Sequence, residues 1–342
     1  GELLGEALGR LAAGTLPQPT PQDDALATHA PLIRKSDAAI DWHLDARTLA
    51  RQVRAYERWP GRQTFYCKGR LVSGPRGYPA MWGSTALILI PAVVFNVTVA
   101  GPLLHSTSAA FLVVGVVLPA LSLAFLFVAA CMDPGVLPRA EPDEEWELGR
   151  LPRTREVENS LGNLVTVRYN ESCHFYQPPR AHHCSVTDEC IERFDHFCPW
   201  VGSTVGLRNY RFFVLFVYFT TLLGIYVFGS SAYLVKLRYD DTVSGGEPSV
   251  LKALGQEPGA VVVMVYVFLV IWFVGGLSAF HSYLICTNQT TYEKFRYSYS
   301  ESDSNPYDRG CLGNWAEVFC TRVPPSKCDF RAIVEEVPVT AV

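Results

Sequence analysis

The chain has 342 residues, 49% hydrophobic and only 18% charged, with 29 Lys and Arg against 33 Asp and Glu for a net charge of −4. So apolar a composition excludes a disordered chain, which needs low hydrophobicity and high net charge. The near balance of charge speaks against a nucleic-acid binder, which carries a basic surface.

In chain order, residues 1–30 hold no basic stretch followed by an apolar run, so no secretory signal is read there. Glu2 to Ala13 places Leu3, Leu4, Ala7, Leu8 and Leu11 at helical spacing, and Pro17, Pro19 and Pro21 break it. Asp45 to Glu57 reads as a second short amphipathic helix, with Asp45 as its cap. The pattern then changes. No Asp, Glu, Lys or Arg occurs from Gly77 to Met132, from Phe212 to Val235, or from Pro258 to Tyr292. A membrane-spanning helix needs about 20 mostly apolar residues. The runs therefore predict four spans, near 84–104, 109–131, 212–234 and 260–285, with Gly101-Pro102 and the polar His105 to Ser108 as the first turn. The segment 236–257 reads as a loop.

An even number of spans puts both flanks and the 133–210 insert on one side. That side carries Arg139, Arg150, Arg153, Arg155, Arg168, Arg180, Arg193, Arg208 and Arg211, together with Lys68, Arg70, Arg76, Lys294 and Arg296. The positive-inside rule assigns it, and both termini, to the cytosol. In that reducing space clustered Cys and His point to metal or thiol chemistry rather than a disulfide framework. The same topology makes the sequons at Asn96, Asn170 and Asn288 chance occurrences.

Two constellations stand in the insert. Cys173, His183 and Cys190 suit a zinc site, which supplies folding energy that so small a module lacks. Asp195, His196 and Cys198 place a carboxylate, an imidazole and a thiol within four positions. An imidazole can take a thiol's proton and a carboxylate can orient the imidazole. The group lies about a dozen residues before a span, within reach of a lipid chain. Metal binding and thiol chemistry both remain open on spacing alone.

P-P-R-A-H-H-C-S-V, F-D-H-F-C-P-W-V-G and V-G-L-R-N-Y-R-F-F resemble the DHHC family of protein S-acyltransferases. Asp133-Pro134-Gly135 after the second span resembles that family's DPG motif, Thr290-Thr291-Tyr292-Glu293 its TTxE motif, and Gly310 to Phe319 its C-terminal PaCCT motif. The likeness covers about 64–332 and looks closest to plant or algal members. It implies an α-helical integral membrane protein, four transmembrane helices with a cytosolic Cys-rich zinc-binding insert. It implies palmitoyl transfer from an acyl-CoA to cysteines of membrane-associated proteins, with Cys198 as nucleophile, His196 as base and Asp195 as its orienting partner. Thr290, Thr291, Glu293 and Asn314 would support the site, and Arg208 and Arg211 would meet CoA phosphates. The location implied is the endomembrane system or plasma membrane, and no nucleic acid is expected.

Two departures from the family stand out. The first zinc site would be Asn170, Cys173, His183 and Cys190, with His182, His174 or water replacing a lost cysteine. The second would be Cys184, Thr187, Phe197 and Thr204, of which only Cys184 remains a ligand, so one zinc rather than two is expected. Repacking of the vacated corner by Phe197 and the threonines is expected. The alternative function is a weak or inactive membrane scaffold.

Ala27 to Trp42, Ala46 to Ala55 and Trp59-Pro60-Gly61 resemble methionyl-tRNA formyltransferase, at the end of its catalytic domain and start of its C-terminal domain. The formyl-transfer residues of that family lie upstream of this piece, so no formyltransferase activity is expected. His29, Asp41 and His43 read as structural leftovers, and the junction reads as a fused gene model. The expected division is thus a formyltransferase-like fragment (1–66), two spans (67–132), the cytosolic insert (133–210), two further spans (211–285) and a cytosolic tail (286–342).

Overall fold

The charge-free runs form long helices in a computed structural model of the chain, which describes residues 64–66, 71–74, 77–296 and 305–328. The readings on residues 1–63 lie outside the described residues. Strands β1 (Thr64–Tyr66) and β2 (Leu71–Ser73) pair antiparallel ahead of the first span.

The first span is α1 (Gly77–Phe95), a π-helical turn (Asn96–Ala100) and α2 (Gly101–Ser106). Gly101-Pro102 does not form the expected turn. Pro102 sits at the start of α2, where a helix has no use for its N–H, and the chain stays helical to Ser106. The turn is confined to residues 107–109 before α3 (Ala110–Cys131). Asn96 Nδ2 donates to the carbonyls of Ala92 and Gly115, which ties the first span to the second. A Cβ on Gly115 would stand 2.5 Å from Asn96 Oδ1, so only glycine allows this approach.

The insert holds β3 (Val136–Leu137), α4 (Glu144–Glu147), β4 (Thr154–Glu158), β5 (Leu164–Asn170), β6 (Phe175–Tyr176), β7 (His182–Cys184), β8 (Glu189–Ile191), β9 (His196–Cys198) and β10 (Ser203–Val205). Its sheets run β4-β5-β6, β3-β8-β7 and β9-β10. Register decides what faces what. His183 pairs with Cys190 across β7 and β8, and Phe197 with Thr204 across β9 and β10.

The third span, α5 (Tyr210–Ser244), is 35 residues long and outruns the expected end by ten. About 20 residues cross a bilayer. Beyond them the helix continues on polar residues, with Lys236 Nζ 2.6 Å from Asp240 Oδ2 one turn on. The expected 236–257 loop is therefore mostly helix, because α6 (Val250–Gln256) follows, capped by Ser249 Oγ accepting from Lys252 N. The fourth span is α7 (Pro258–Cys286), then α8 (Thr291–Arg296) and α9 (Cys311–Cys320).

Among the described residues these four helices are long and apolar enough to cross a membrane. α5 packs between α3 and α7, and α1 lies against both of those. Ile90, Val97, Leu269 and Trp272 point outward and exposed. Apolar side chains on the outside and backbone bonds closed within helices suit a lipid surroundings.

Candidate active site and metal corner

Strand β9 carries His196 and Cys198 on one side of its pleat, because alternate residues of a strand share a face. Asp195 just precedes the strand, and its backbone N donates to Val205 O of β10 at 2.9 Å. Its carboxylate is almost wholly buried. Oδ2 lies 2.6 Å from His196 Nδ1 and accepts from Thr291 Oγ1 at 2.8 Å, while Oδ1 accepts from Thr291 N at 2.9 Å. Burial alone would push the carboxyl up. The hydrogen bond and charge of His196, with the Thr291 N–H, outweigh it and hold Asp195 down at about 2. Burial likewise disfavours the imidazolium, yet the bonds to Asp195 and Cys198 and the carboxylate charge hold His196 up at about 10. Both shifts favour the charged pair of Asp195 carboxylate and His196 imidazolium. The His196 ring packs edge-on against Phe213 of α5, with centroids 5.2 Å apart.

Thr290 to Glu293 is a capping box. Glu293 N donates to Thr290 Oγ1 at 3.1 Å, and Thr290 N to Glu293 Oε2 at 2.8 Å. The box fixes α8 so that the unpaired N–H of its first residue, Thr291, is free for Asp195. Glu293 also pairs with Arg180 through two bonds of 2.8 and 2.7 Å, both side chains being buried. Arg180 and Arg193 converge on Asn288 Oδ1, each at 2.8 Å. Asn288 Nδ2 donates to Tyr307 O, Glu317 Oε2 and Asn314 Oδ1. Asn314 Nδ2 donates to Cys286 O at 2.9 Å. The TTxE segment, the insert and α9 are thereby one polar network behind Asp195.

Cys198 is 5% exposed and opens onto a cavity of about 410 Å³ between the spans. Trp200 and Ser84 line it near the thiol, and Ile88, Phe213, Val217, Leu223, Val267 and Leu277 supply apolar walls. Its walls are almost wholly apolar, the character of a pocket for an apolar ligand.

The second constellation is the metal corner. Cys173, His183 and Cys190 present one donor each, all within 4.8 Å of one another. The two sulfurs stand in direct contact. His183 Nδ1 is 3.5 Å from Cys173 Sγ and 3.9 Å from Cys190 Sγ. Asp188 Oδ1 lies 3.3 Å from His183 Nε2, the outer partner that orients a metal-binding imidazole. Two thiols and an oriented imidazole fit zinc, with a fourth position left over. Asn170 does not fill it from its oxygen, which accepts from Ser172 N and Cys173 N. Neither His174 nor His182 belongs to the cluster. The His182 ring instead lies against Tyr292 of α8, centroids 4.0 Å apart.

The corner of Cys184, Thr187, Phe197 and Thr204 is closed by packing. Thr204 Oγ1 donates to Cys184 Sγ at 3.4 Å and shares a bond of 3.4 Å with Thr187 Oγ1. Cys184, Thr187 and Thr204 are buried, and Phe197 packs with Val136, Ile191 and Cys184.

The expected phosphate contacts come out differently. Arg208 faces inward: Nη1 pairs with Asp133 Oδ2 at 2.6 Å and Nε donates to Pro324 O. Asp133 needs that charge because it is 6% exposed, and its Oδ1 already accepts from Gly135 N and Val136 N. Arg208 is therefore spent on the DPG turn rather than presented to a ligand. Arg211 is more exposed and donates to Thr321 O at 2.6 Å. Sequence reasoning missed Asn209, whose Nδ2 donates to Ala129 O and Thr204 O while Oδ1 accepts from Gly206 N. It also missed Arg180, Asn288 and Glu317. The signal for Asn209 was its place inside V-G-L-R-N-Y-R-F-F. Asn288 stands in the Asn288-Gln289-Thr290 sequon, a pattern that gives no sign of this hub. His281 of α7 meets α5, its Nδ1 lying 3.1 Å from Tyr210 Oη.

The DHHC palmitoyltransferase family model matches residues 165–298, which hold both constellations and the capping box. Protein S-acyltransferase 8 of Arabidopsis thaliana is 44% identical over 307 residues, covering 83% of this chain and 74% of that protein. The chain belongs to the DHHC palmitoyltransferase family. Probable protein S-acyltransferases 7 and 6 of the same plant are 41% and 40% identical over 305 and 299 residues, covering 84% and 82% of this chain and 67% and 71% of theirs. The enzyme is an acyltransferase of proteins, its family binds zinc and uses acyl-CoA, and it is a membrane protein. A formyl transferase C-terminal domain model matches the short segment 32–73.

Proposed function

We propose that the enzyme carries its acyl group on Cys198. The observation that carries this reading is the junction at that sulfur: an apolar cavity on one side and the chain His196, Asp195, Thr291 on the other. The acyl tail of a palmitoyl-CoA lies among the spans, which sets its thioester carbonyl at the cavity mouth. The Cys198 thiolate attacks that carbon, the C–S bond to CoA breaks, and His196 gives its proton to the departing thiolate. Asp195 keeps the imidazole oriented and stabilises its charge. An acceptor thiol on a membrane-associated protein then gives its proton to His196. Its sulfur takes the acyl carbon, and Cys198 leaves as thiolate. A cavity buried in the bilayer favours acceptor cysteines close to the membrane surface. Arg211, at the edge of the third span, is the better placed of the two arginines for a CoA phosphate.

The insert and both flanks face the cytosol, as the basic residues around the spans argue. The enzyme holds one zinc, at Cys173, His183 and Cys190. When bound, zinc would cross-link the β5–β6 turn, through Cys173, to β7 and β8, through His183 and Cys190, and supply folding energy, with no part in the acyl transfer. The membrane is in the endomembrane system or at the cell surface. The N-terminal fragment has no formyl-transfer role.

Autoacylation tests the reading. The full chain in detergent is given labelled palmitoyl-CoA beside Cys198→Ser and His196→Ala. Label that hydroxylamine removes, and that Cys198→Ser lacks, is expected. Equal label on wild type and Cys198→Ser, both folded, would leave a membrane scaffold in place of the enzyme reading.

A further inference from the structure

Away from Cys198 a second pair of thiols meets at the membrane edge. Cys286 ends α7 and Cys311 begins α9, 25 residues later, and their sulfurs lie 2.7 Å apart. Trp315 Nε1 donates to Cys286 Sγ at 3.2 Å, and Asn314 Nδ2 to Cys286 O at 2.9 Å. These two bonds hold α9 in register with the end of the span, so the approach of the thiols is built by their neighbours. Cys311 is exposed and Cys286 is half-buried, so a reagent from water meets Cys311 first.

We propose that Cys286 and Cys311 form a dithiol site for small disulfides of the glutathione type, and that its oxidation pins α9 to the last span. The Cys311 thiolate attacks one sulfur of the disulfide and releases one small thiolate. The Cys286 thiolate then attacks the Cys311 sulfur of that mixed disulfide and releases the second. Two protons leave the protein thiols and two small thiols form, so the oxidant is reduced as the protein disulfide appears. The consequence reaches further than the bond. α9 carries Asn314 and Glu317, which close the network around Asn288, Arg193 and Arg180 behind Asp195. A covalent tie at the start of α9 keeps that network assembled when the chain is stressed, because closing the loop between the two cysteines lowers the entropy that opening would gain.

The test uses the full chain in detergent, equilibrated in mixtures of reduced and oxidised glutathione, alkylated and digested with trypsin. Cleavage at Lys294, Arg296, Arg309 and Arg322 separates Cys286 from the peptide Gly310 to Arg322, and fragmentation of a linked pair assigns the bond to Cys311 or to Cys320. The expected yield of the Cys286–Cys311 link is at least tenfold that of any other pair outside the metal corner. Oxidised wild type is expected to melt several degrees above reduced wild type, while Cys311→Ser melts at one temperature in both buffers. Separate alkylation of both cysteines in excess oxidised glutathione would overturn the site. A linked peptide without a rise in Tm over Cys311→Ser would overturn the pinning. Neither readout depends on acyl transfer, so failure here is distinct from failure of the Cys198 reading.

Discussion

Two corners of the insert sit side by side and are held by different chemistry. At Cys173, His183 and Cys190 three soft donors face one point. At Cys184, Thr187, Phe197 and Thr204 one thiol is left, with two hydroxyls and an aromatic ring filling the rest. Both corners fasten β strands of the same insert, and both are buried. The nucleophile strand β9 passes through the second corner at Phe197, not through the first. Zinc held at the first corner would be a metal crosslink, where the second is a hydrogen-bonded cluster, and the two fastenings would differ in strength. A structural zinc in a small module contributes about 10 kcal/mol or more, and a net hydrogen bond about 1 kcal/mol. The lesson is that the active-site strand tolerates the weaker fastening because its carboxylate neighbour is also tied to α8.

The largest effect is expected at the metal corner. Cys190→Ser removes a donor, and a loss of about 10 kcal/mol matches the whole stability of an ordinary domain. Zinc measured on the purified variant should fall from about one per chain to none, and protease should cut the insert. Zinc near two per chain in wild type would break the comparison, because the second corner would then be a metal site.

The next effect tests the tie to α8. Arg180→Met leaves the Glu293 carboxylate buried without its partner, a change that costs about 3–5 kcal/mol. Thermal unfolding should show it, and Arg180→Met with Glu293→Gln should recover a good part by removing the stranded charge. If the single variant melts like wild type, α8 does not brace the site.

Asp195→Asn should lower autoacylation about 100-fold, the lower range for a positioned proton-transfer group. Its pH signature follows from the two shifts. Asp195 falls from 3.8 to about 2, so its contribution is present above about 4 and is lost as pH drops through 2. His196 rises from 6.5 to about 10, so its contribution is full below 6.5 and is lost as pH climbs through 10. The difference in Tm between wild type and Asp195→Asn should be widest between those limits, from about pH 4 to 6.5, and shrink toward pH 10. A difference that grows with pH above about 6.5 would contradict the charged pair.

How much of this was readable beforehand follows the range of the interactions. The grouping of Asp195, His196 and Cys198 and the four spans were legible because they are local: neighbours at and just before one strand, or runs free of charge. The continuation of helix through Gly101-Pro102 was not, since a proline early in a helix reads the same as a proline in a turn. The hub at Asn288 was hidden for a different reason. Its partners come from residues 180, 193, 307, 314 and 317, and no spacing in the chain brings those together. The inward turn of Arg208 depended on the burial of Asp133, which only packing decides.

The smallest change is the sharpest test of the second corner. Thr204→Val keeps the volume and shape but removes the hydroxyl that joins Cys184 Sγ to Thr187 Oγ1. Both partners stay buried, so the cost is that of leaving them unpaired, about 1–3 kcal/mol. Zinc content should not move, because no donor of the first corner is touched. Autoacylation should fall by less than Asp195→Asn lowers it, since β10 keeps its pairing with β9 and its bond from Asn209. A loss of zinc in Thr204→Val would mean that the two corners fold as one unit. A cost well above 3 kcal/mol would mean that the threonine pair, rather than the packing of Phe197, is what holds the second corner.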